Sequence, residues 1–170
     1  MADDNASPVA CPSMFFRTRL TQRKKKSHRN NPQRRSHEMN QQERSPQKWI
    51  EDVMILEDSG ASRNFVGAEF VSQHHLKTKR AQHPVTVTLA DGRRRRITQV
   101  SYLRLDFGQG YEYETNAYVL PMGDSCSVIL GTVWTSSLGK YITDRKENTL
   151  AFKTGDNQVA GVDGGKYTSE

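Results

Sequence analysis

The sequence has few cysteines and no long apolar run, and both shortages limit the classes of protein to which it can belong. Its two cysteines, Cys11 and Cys126, lie far apart, and neither has a partner at the spacing of a metal site. No apolar segment approaches the roughly 18 residues that span a bilayer. Residues 9–16 are too short and too interrupted for a secretion signal. We therefore expect a soluble intracellular protein, in the cytoplasm, with no cofactor and no metal.

Aliphatic residues are almost absent from the N-terminal part after Leu20. Residues 1–48 carry eleven Lys or Arg against four Asp or Glu, whereas residues 49–170 carry fourteen against fifteen. Such a polar segment cannot bury enough apolar area to offset its backbone entropy. We therefore predict a disordered basic N-terminal segment at 1–48, a folded domain at 49–153 and a flexible, glycine-rich C-terminal tail at 154–170.

The basic stretch at residues 17–35 is open to two interpretations. It resembles a nucleic-acid contact or a nuclear-import address, because clustered Lys and Arg neutralise phosphates or bind import receptors. It is also typical of a solvated linker in a polyprotein. Nucleic acid is therefore a candidate partner, through residues 17–35.

Short segments with period-two alternation follow residue 48, with turn residues every ~8–12 positions. Asp91-Gly92 is a strong hairpin signal. Many short strands joined by tight turns predict an all-β domain, a closed barrel or a sandwich. We predict strands at 49–56, 84–89, 95–100, 102–107, 111–120, 128–131, 141–144 and 149–152, one short helix at 67–76 and a helical turn at 134–138.

The apolar segment at residues 53–56 ends in Glu57-Asp58-Ser59-Gly60-Ala61. A buried strand thereby delivers the carboxylate of Asp58 to the start of a tight turn, and the small residues after it let backbone and ligand come close. Asp-Ser-Gly also suits an ordinary turn, because Asp starts turns well. A functional interpretation therefore needs further elements elsewhere in the chain.

Three elements follow one another within residues 53–152. They are the strand into Asp58-Ser59-Gly60-Ala61, the hairpin around Ala90-Asp91-Gly92, and Val128-Ile129-Leu130-Gly131 with Trp134 after it. This ordered set resembles retropepsins, the single-domain aspartic proteases of retroviruses and gypsy-class (LTR) retrotransposons. The resemblance implies an acid-protease fold, a retropepsin-like closed barrel or sandwich, in a protein that processes a retrotransposon polyprotein.

Hydrolysis of a peptide without a metal needs a base that activates water and an acid that protonates the carbonyl. Two carboxylates a few Å apart share one proton and perform both tasks. Because this chain has a single Asp-Ser-Gly, the resemblance implies a C₂ homodimer in which Asp58 of each subunit is catalytic. The expected partners are a second copy of the chain and a polypeptide substrate, and no membrane.

The resemblance also assigns supporting roles to the residues around Asp58. The active-site loop would be supported by small residues, the flap would cover the substrate as an added strand, and an apolar segment would pack behind the loop. These residues are Ser59, Gly60 and Ala61 for the loop, Ala90, Asp91 and Gly92 for the flap, and Ile129, Leu130 and Gly131 for loop packing.

Three features depart from the family pattern. Thr132-Val133 follow Leu130-Gly131, where an acidic or otherwise polar residue is common in the family. Glu57 stands where the family usually has an apolar residue, so it would be a buried charge or an exposed one after local rearrangement. Residues 41–48 show no apolar alternation, so the hairpin ahead of the active-site strand is expected to be truncated. These features leave one alternative, a catalytically weakened module for dimerisation or binding. The basic stretch at residues 17–35 leaves a second, a nucleic-acid-binding protein that acts through this segment.

Four consecutive arginines, at residues 93–96, follow the predicted flap turn. They favour acidic substrates or RNA, or else form a solvated strand edge that resists aggregation.

Overall fold

Alternating apolar side chains shape most of the chain into strands. The computed structural model describes residues 14–22, 48–89, 92–123, 126–153 and 159–164. Within this part the strands are β1 (Met14–Thr21), β2 (Ile50–Glu57), β3 (Phe65–Gly67), β4 (Thr78–Thr88), β5 (Arg94–Asp106), β6 (Glu112–Leu120), β7 (Val128–Leu130), β8 (Tyr141–Asp144), β9 (Thr149–Lys153) and β10 (Val159–Asp163). The helices are α1 (Ala68–Gln73) and α2 (Thr132–Ser137). The predicted all-β class is confirmed.

Seven strands form one sheet in the order β1-β2-β7-β3-β6-β5-β4, and an additional pairing of β1 with β5 closes six of them into a ring. β4 lies outside this ring, antiparallel to β5. The other sheet has the order β10-β9-β8. Its inward side chains join those of the ring in one core, which includes Phe16, Ile55, Leu103, Leu130, Trp134, Leu150 and Val162.

The prediction that residues 1–48 are disordered is wrong for β1. Met14, Phe16 and Leu20 are buried, whereas the intervening Arg17 and Arg19 are exposed. This period-two pattern buries apolar area in spite of the high charge of the segment. β1 pairs with β2, so β2 has a strand partner that precedes it in the chain. Residues 1–13 and 23–47 lie outside the described residues, so nucleic-acid binding through residues 17–35 stays a prediction.

Two predicted strands, at 95–100 and 102–107, are one continuous strand, β5. The residue between them, Ser101, is fully buried and pairs with Ala117 of β6, so the chain has no reason to turn there. β4 starts earlier than predicted and contains a bulge between Arg80 and Val85. Pro84 lies within that bulge, where a missing ladder donor is tolerated.

The C-terminal tail predicted at 154–170 contains β10, so the predicted flexibility is wrong there. Ala160 and Val162 are buried on one face of this strand. The Gly164 N–H donates to the carbonyl oxygen of Asn148 (3.0 Å), and Asn148 Nδ2 donates to that of Phe15 (2.7 Å), which ties the end of β10 to β1. Residues 154–158 and 165–170 lie outside the described part.

The helices are short. α1 occupies six of the ten predicted positions, and the predicted helical turn is a second helix, α2, which starts two residues earlier than expected. Trp134 of α2 is fully buried, and its indole N–H donates to the Tyr111 hydroxyl (3.1 Å). No helix in the described ranges is long and apolar enough to cross a membrane.

Candidate active site

The order of three strands places Asp58. β7 lies between β2 and β3, parallel to β2 and antiparallel to β3. The segment that joins β2 to β3 must therefore cross the end of β7. Asp58 is the first residue of this crossing, and its N–H donates to the carbonyl oxygen of Leu130 in β7 (3.1 Å). The end of β7 thus fixes the backbone from which the Asp58 side chain starts.

The loop at residues 58–61 forms a tight turn around the Asp58 carboxylate. One carboxylate oxygen, Oδ1, accepts the Gly60 N–H at 2.8 Å, and the Asp58 carbonyl accepts the Ala61 N–H at 3.1 Å. Ser59 and Gly60 are exposed, and Asp58 is half-buried. The carboxylate is therefore held in one orientation while it keeps access to a ligand.

Gly131 is the residue against which the loop packs most closely. A Cβ atom there would lie 2.2 Å from the Ala61 carbonyl oxygen and 2.5 Å from that of Arg63, distances that no side chain tolerates. The next residue, Thr132, donates its N–H to the same Ala61 oxygen (2.8 Å). Residue 131 therefore has to be glycine for the loop to sit on β7 in this way.

Asn64 joins the loop to two elements, and the sequence interpretation did not identify it. Its side chain is buried, and Oδ1 accepts the Gly131 N–H at 3.0 Å. Nδ2 donates to the Tyr113 hydroxyl (3.1 Å) and to the Thr115 hydroxyl (3.0 Å). The neighbouring sequence gives little indication of this role, because the hydrogen-bond partners of the Asn64 side chain lie 49, 51 and 67 residues further along the chain.

Glu57 is the departure from the family pattern, and it is buried, with 7% of its surface exposed. Burial raises the pKa of its carboxyl, because the charged form is desolvated, and the nearby charge of Asp58 raises it further. The positive charge of Arg145 opposes both effects. Of the two outcomes expected for Glu57, the structure shows the buried one, with a basic residue to offset the charge.

The hairpin of β4 and β5 extends toward the same loop. At its tip Gly92 has a φ of +78° and donates its N–H to the carbonyl of Leu89 (2.9 Å), as a three-residue hairpin loop requires. Ala90 and Asp91, the other predicted flap residues, lie outside the described part. Val87 and Leu89 pack in an apolar cluster that includes Ala61 and Ile129.

The structure thus brings Asp58, Gly60 and Ala61 together with Leu130 and Gly131, and it places the hairpin against the same loop. Ile129 contributes to the cluster under the hairpin, and Leu130 is fully buried in the main core. In the ranges that the structure describes, no three His, Cys, Asp or Glu side chains form a group that could hold a metal ion.

Comparison with known proteins bears on the same part of the chain. No curated protein and no solved structure matches it. A family model described as the PEG10/RTL1 protease domain matches residues 54–153, more than half of the chain, and the match spans the loop, the hairpin and β7. This family is retropepsin-like and comes from gypsy-derived genes, which supports an aspartic-protease-like function. The chain belongs to the PEG10/RTL1 protease domain family.

Proposed function

We propose that this chain is an aspartic endopeptidase that acts as a homodimer, with Asp58 of each subunit as the catalytic pair. The observation that carries the proposal is the site of Asp58: its carboxylate stands at the accessible end of β2, oriented by the Gly60 N–H. The backbone beneath it is fixed by Leu130 and Gly131. Since the chain has one Asp-Ser-Gly, a second carboxylate comes from a second copy across a twofold axis.

The chemistry follows from two carboxylates that share one proton. The ionised Asp58 takes a proton from a water molecule as that water attacks the scissile carbonyl carbon, and the protonated Asp58 of the other subunit gives its proton to the carbonyl oxygen. In the collapse of the tetrahedral intermediate the C–N bond breaks, and the carboxyl that took the proton from water gives it to the leaving amine. The other Asp58 carboxylate takes a proton from a hydroxyl of the intermediate, which restores the starting pair. Ser59 hydrogen-bonds across the twofold axis and keeps the two loops in register.

The β4–β5 hairpin acts as the flap in this proposal. An extended peptide lies between it and the Asp58 loop and is bound through its backbone as an added strand. The apolar underside of the hairpin, with Val87 and Leu89 next to Ala61, supports this placement. Closure over the peptide excludes water from the carboxylates. The substrate is a polypeptide, such as the polyprotein that a gypsy-derived gene encodes.

The decisive variant is Asp58→Asn, because the amide cannot act as a base. We expect cleavage of a mixed peptide library to fall by at least about 10²- to 10⁴-fold, with an unchanged circular dichroism spectrum. Inhibition of the wild type by a pepstatin-type inhibitor is expected as well. Asp52→Asn is the matched control, because Asp52 is exposed on the same strand. Full cleavage by Asp58→Asn would refute the proposed role of Asp58.

One observation favours a second candidate function, a module that keeps the fold for dimerisation or binding with little cleavage. The buried carboxyl of Glu57 lies directly beside the catalytic position, and the charge of Asp58 is one of the causes that raise the pKa of Glu57. If the wild type cleaves nothing and Glu57→Leu does, the site is that of a weakened enzyme. Equal cleavage by both proteins removes this candidate.

A further inference from the structure

Charge is strongly segregated within the protease domain. Residues 77–96, which comprise β4, the flap tip and the start of β5, contain seven Lys or Arg and one Asp, a net charge of +6. The other residues of 49–153 contain six Lys or Arg and eleven Asp or Glu, a net charge of −5. The flap hairpin is therefore the positive part of an otherwise acidic domain, and it attracts negatively charged ligands toward the active-site loop.

The pairing of β4 with β5 shows which arginines face the active-site loop. Residues directly opposite each other in an antiparallel pair project from the same face. Val85 and Val87 of β4 are half-buried in the cluster under the hairpin, and Thr86 and Thr88 are exposed. The face that carries the two valines is therefore the inner face of the flap, and the face that carries the two threonines is the outer one.

Arg95 lies opposite Val87 and therefore belongs to the inner face. Ile97, two residues further along β5, has the same orientation and is buried in the cluster under the hairpin. Arg96 lies opposite Thr86 and Arg94 opposite Thr88, so both belong to the outer face. Within the ranges that the structure describes, no carboxylate forms an ion pair with Arg95 or Arg96. Arg95 is exposed, so its guanidinium is accessible on a face otherwise lined by aliphatic side chains.

We propose that Arg95 is a specificity-determining residue that selects substrates with an Asp or Glu next to the scissile bond; this proposal rests on the proposed function. A peptide bound under the flap places alternate side chains against the inner face, where a carboxylate can form two hydrogen bonds with the guanidinium. The aliphatic neighbours reduce contact with water and so strengthen the pair. A Lys or Arg at the same substrate position meets a like charge and is rejected.

The test compares three peptides that differ only at one position near the scissile bond, which carries Glu, Gln or Lys. The parent peptide is one that the wild type cleaves in a mixed library. We expect the kcat/KM of the wild type to be about 10-fold higher for the Glu peptide than for the Lys peptide, as for one partly desolvated charge pair. Arg95→Glu is expected to reverse this preference. The preference is also expected to shrink as salt rises.

Arg96→Glu is the matched control, because it makes the same charge change one residue away on the outer face. We expect Arg96→Glu to change the kcat/KM values only through the altered net charge of the protein. The variant should still cleave the Glu peptide faster than the Lys peptide. If Arg95→Glu and Arg96→Glu change the preference equally, or if the wild type shows no preference while it cleaves all three peptides, the proposal is wrong and the proposed function stands.

If the wild type cleaves no peptide, the proposed function fails instead. The role of Arg95 is then tested by binding: three fluorophore-labelled peptides of one library sequence, which differ only in carrying Glu, Gln or Lys at one position, are titrated with the wild type and with Arg95→Glu, and binding is followed by anisotropy. Tighter binding of the Glu peptide that Arg95→Glu reverses supports the role of Arg95, and equal binding of the three peptides by the wild type overturns it. Binding of a single-stranded RNA probe is measured as well, because RNA is the other negatively charged ligand that these arginines could bind. RNA binding that both charge reversals weaken equally, together with unchanged peptide preference, assigns the arginines to nucleic acid and overturns the proposal.

Discussion

The buried side chain of Asn64 links the active-site loop to the rest of the domain by three hydrogen bonds. Its amide links the backbone at Gly131 to hydroxyl groups of two residues on β6. Each hydrogen bond is worth about 1 kcal/mol net, and a buried group left without a partner costs more. Loss of the Asn64 side chain should therefore destabilise the loop that carries Asp58.

We expect Asn64→Ala to lower the free energy of unfolding by about 2–3 kcal/mol, measured by urea denaturation. Asn116→Ala, at an exposed position of β6, is the control and is expected to change it by no more than about 0.5 kcal/mol. Equal effects of the two variants would show that the buried amide contributes nothing beyond its surface counterpart.

Glu57 gives the stability of the domain a specific dependence on pH. Burial raises the pKa of its carboxyl above the usual 4.5, so the folded chain retains this proton at a pH where the unfolded chain has lost it. The stabilisation from this group is therefore complete below pH 4.5 and is lost as the pH rises through the folded-state pKa.

Glu57→Gln removes this loss, so we expect the variant to be more stable than the wild type at pH 7 and similar to it near pH 4. Urea denaturation across this range measures the difference. Glu51→Gln, on an exposed position of the same strand, is the control and should show no such trend. A variant that is less stable than the wild type at pH 7 would mean that the attraction between Glu57 and Arg145 outweighs desolvation.

At the scale of single residues, the sequence predicted the positions with a local signature and missed those defined by distant partners. Asp58 and Gly60 stand at the end of an apolar strand, where the chemistry of a turn is visible in the sequence. The role of Asn64 is set by its partners on β6 and at Gly131, and Arg145, which lies between β8 and β9, comes near Glu57 only through the tertiary fold.

Among the elements, β1 is the one that composition concealed. Its charged residues alternate with apolar ones, so an average over residues 1–48 shows only the charge. The strand nonetheless closes the ring through β2 and β5. Phe16 is fully buried and forms an edge-to-face contact with Trp134 at 6.2 Å between ring centroids. Arg19 and Asp106 form an ion pair between β1 and the end of β5.

We therefore expect β1 to be required for the fold. Phe16→Ala should lower the free energy of unfolding by about 3–5 kcal/mol, because it leaves a cavity in the core. Arg17→Ala, at the next position and exposed, should change it by about 0.5 kcal/mol or less. Similar values for the two variants, in thermal or urea unfolding, would place β1 outside the cooperative unit.

Apart from β1 and β10, most elements were predicted with errors of length rather than of type. The strands at 111–120 and 141–144 match β6 and β8 closely, because turn residues bound them on both sides. β5 was divided in two, because the buried Ser101 resembles a break when its neighbours across the sheet are unknown. Register and strand order depend on long-range pairing and could not be obtained from local patterns.

At the scale of the whole molecule, one chain provides half of the proposed catalytic machinery. The crossing of strands and the turn around Asp58 concern a single carboxylate, and it lies within the residues that the family model matches. Catalysis by two Asp58 carboxylates therefore requires two chains to form a dimer. A subunit that lacks the carboxylate is expected to inactivate the wild-type subunit with which it pairs.

Mixing of subunits tests this central claim most directly. Wild-type chain at fixed concentration is incubated with increasing amounts of Asp58→Asn, and the cleavage of a peptide substrate is followed after exchange of subunits. We predict that activity falls toward zero as the variant comes into excess, because mixed dimers hold only one carboxylate, while added Asp52→Asn does not lower it. Wild-type activity that persists in excess Asp58→Asn, with mixed dimers detected by native mass spectrometry, would contradict the shared catalytic pair.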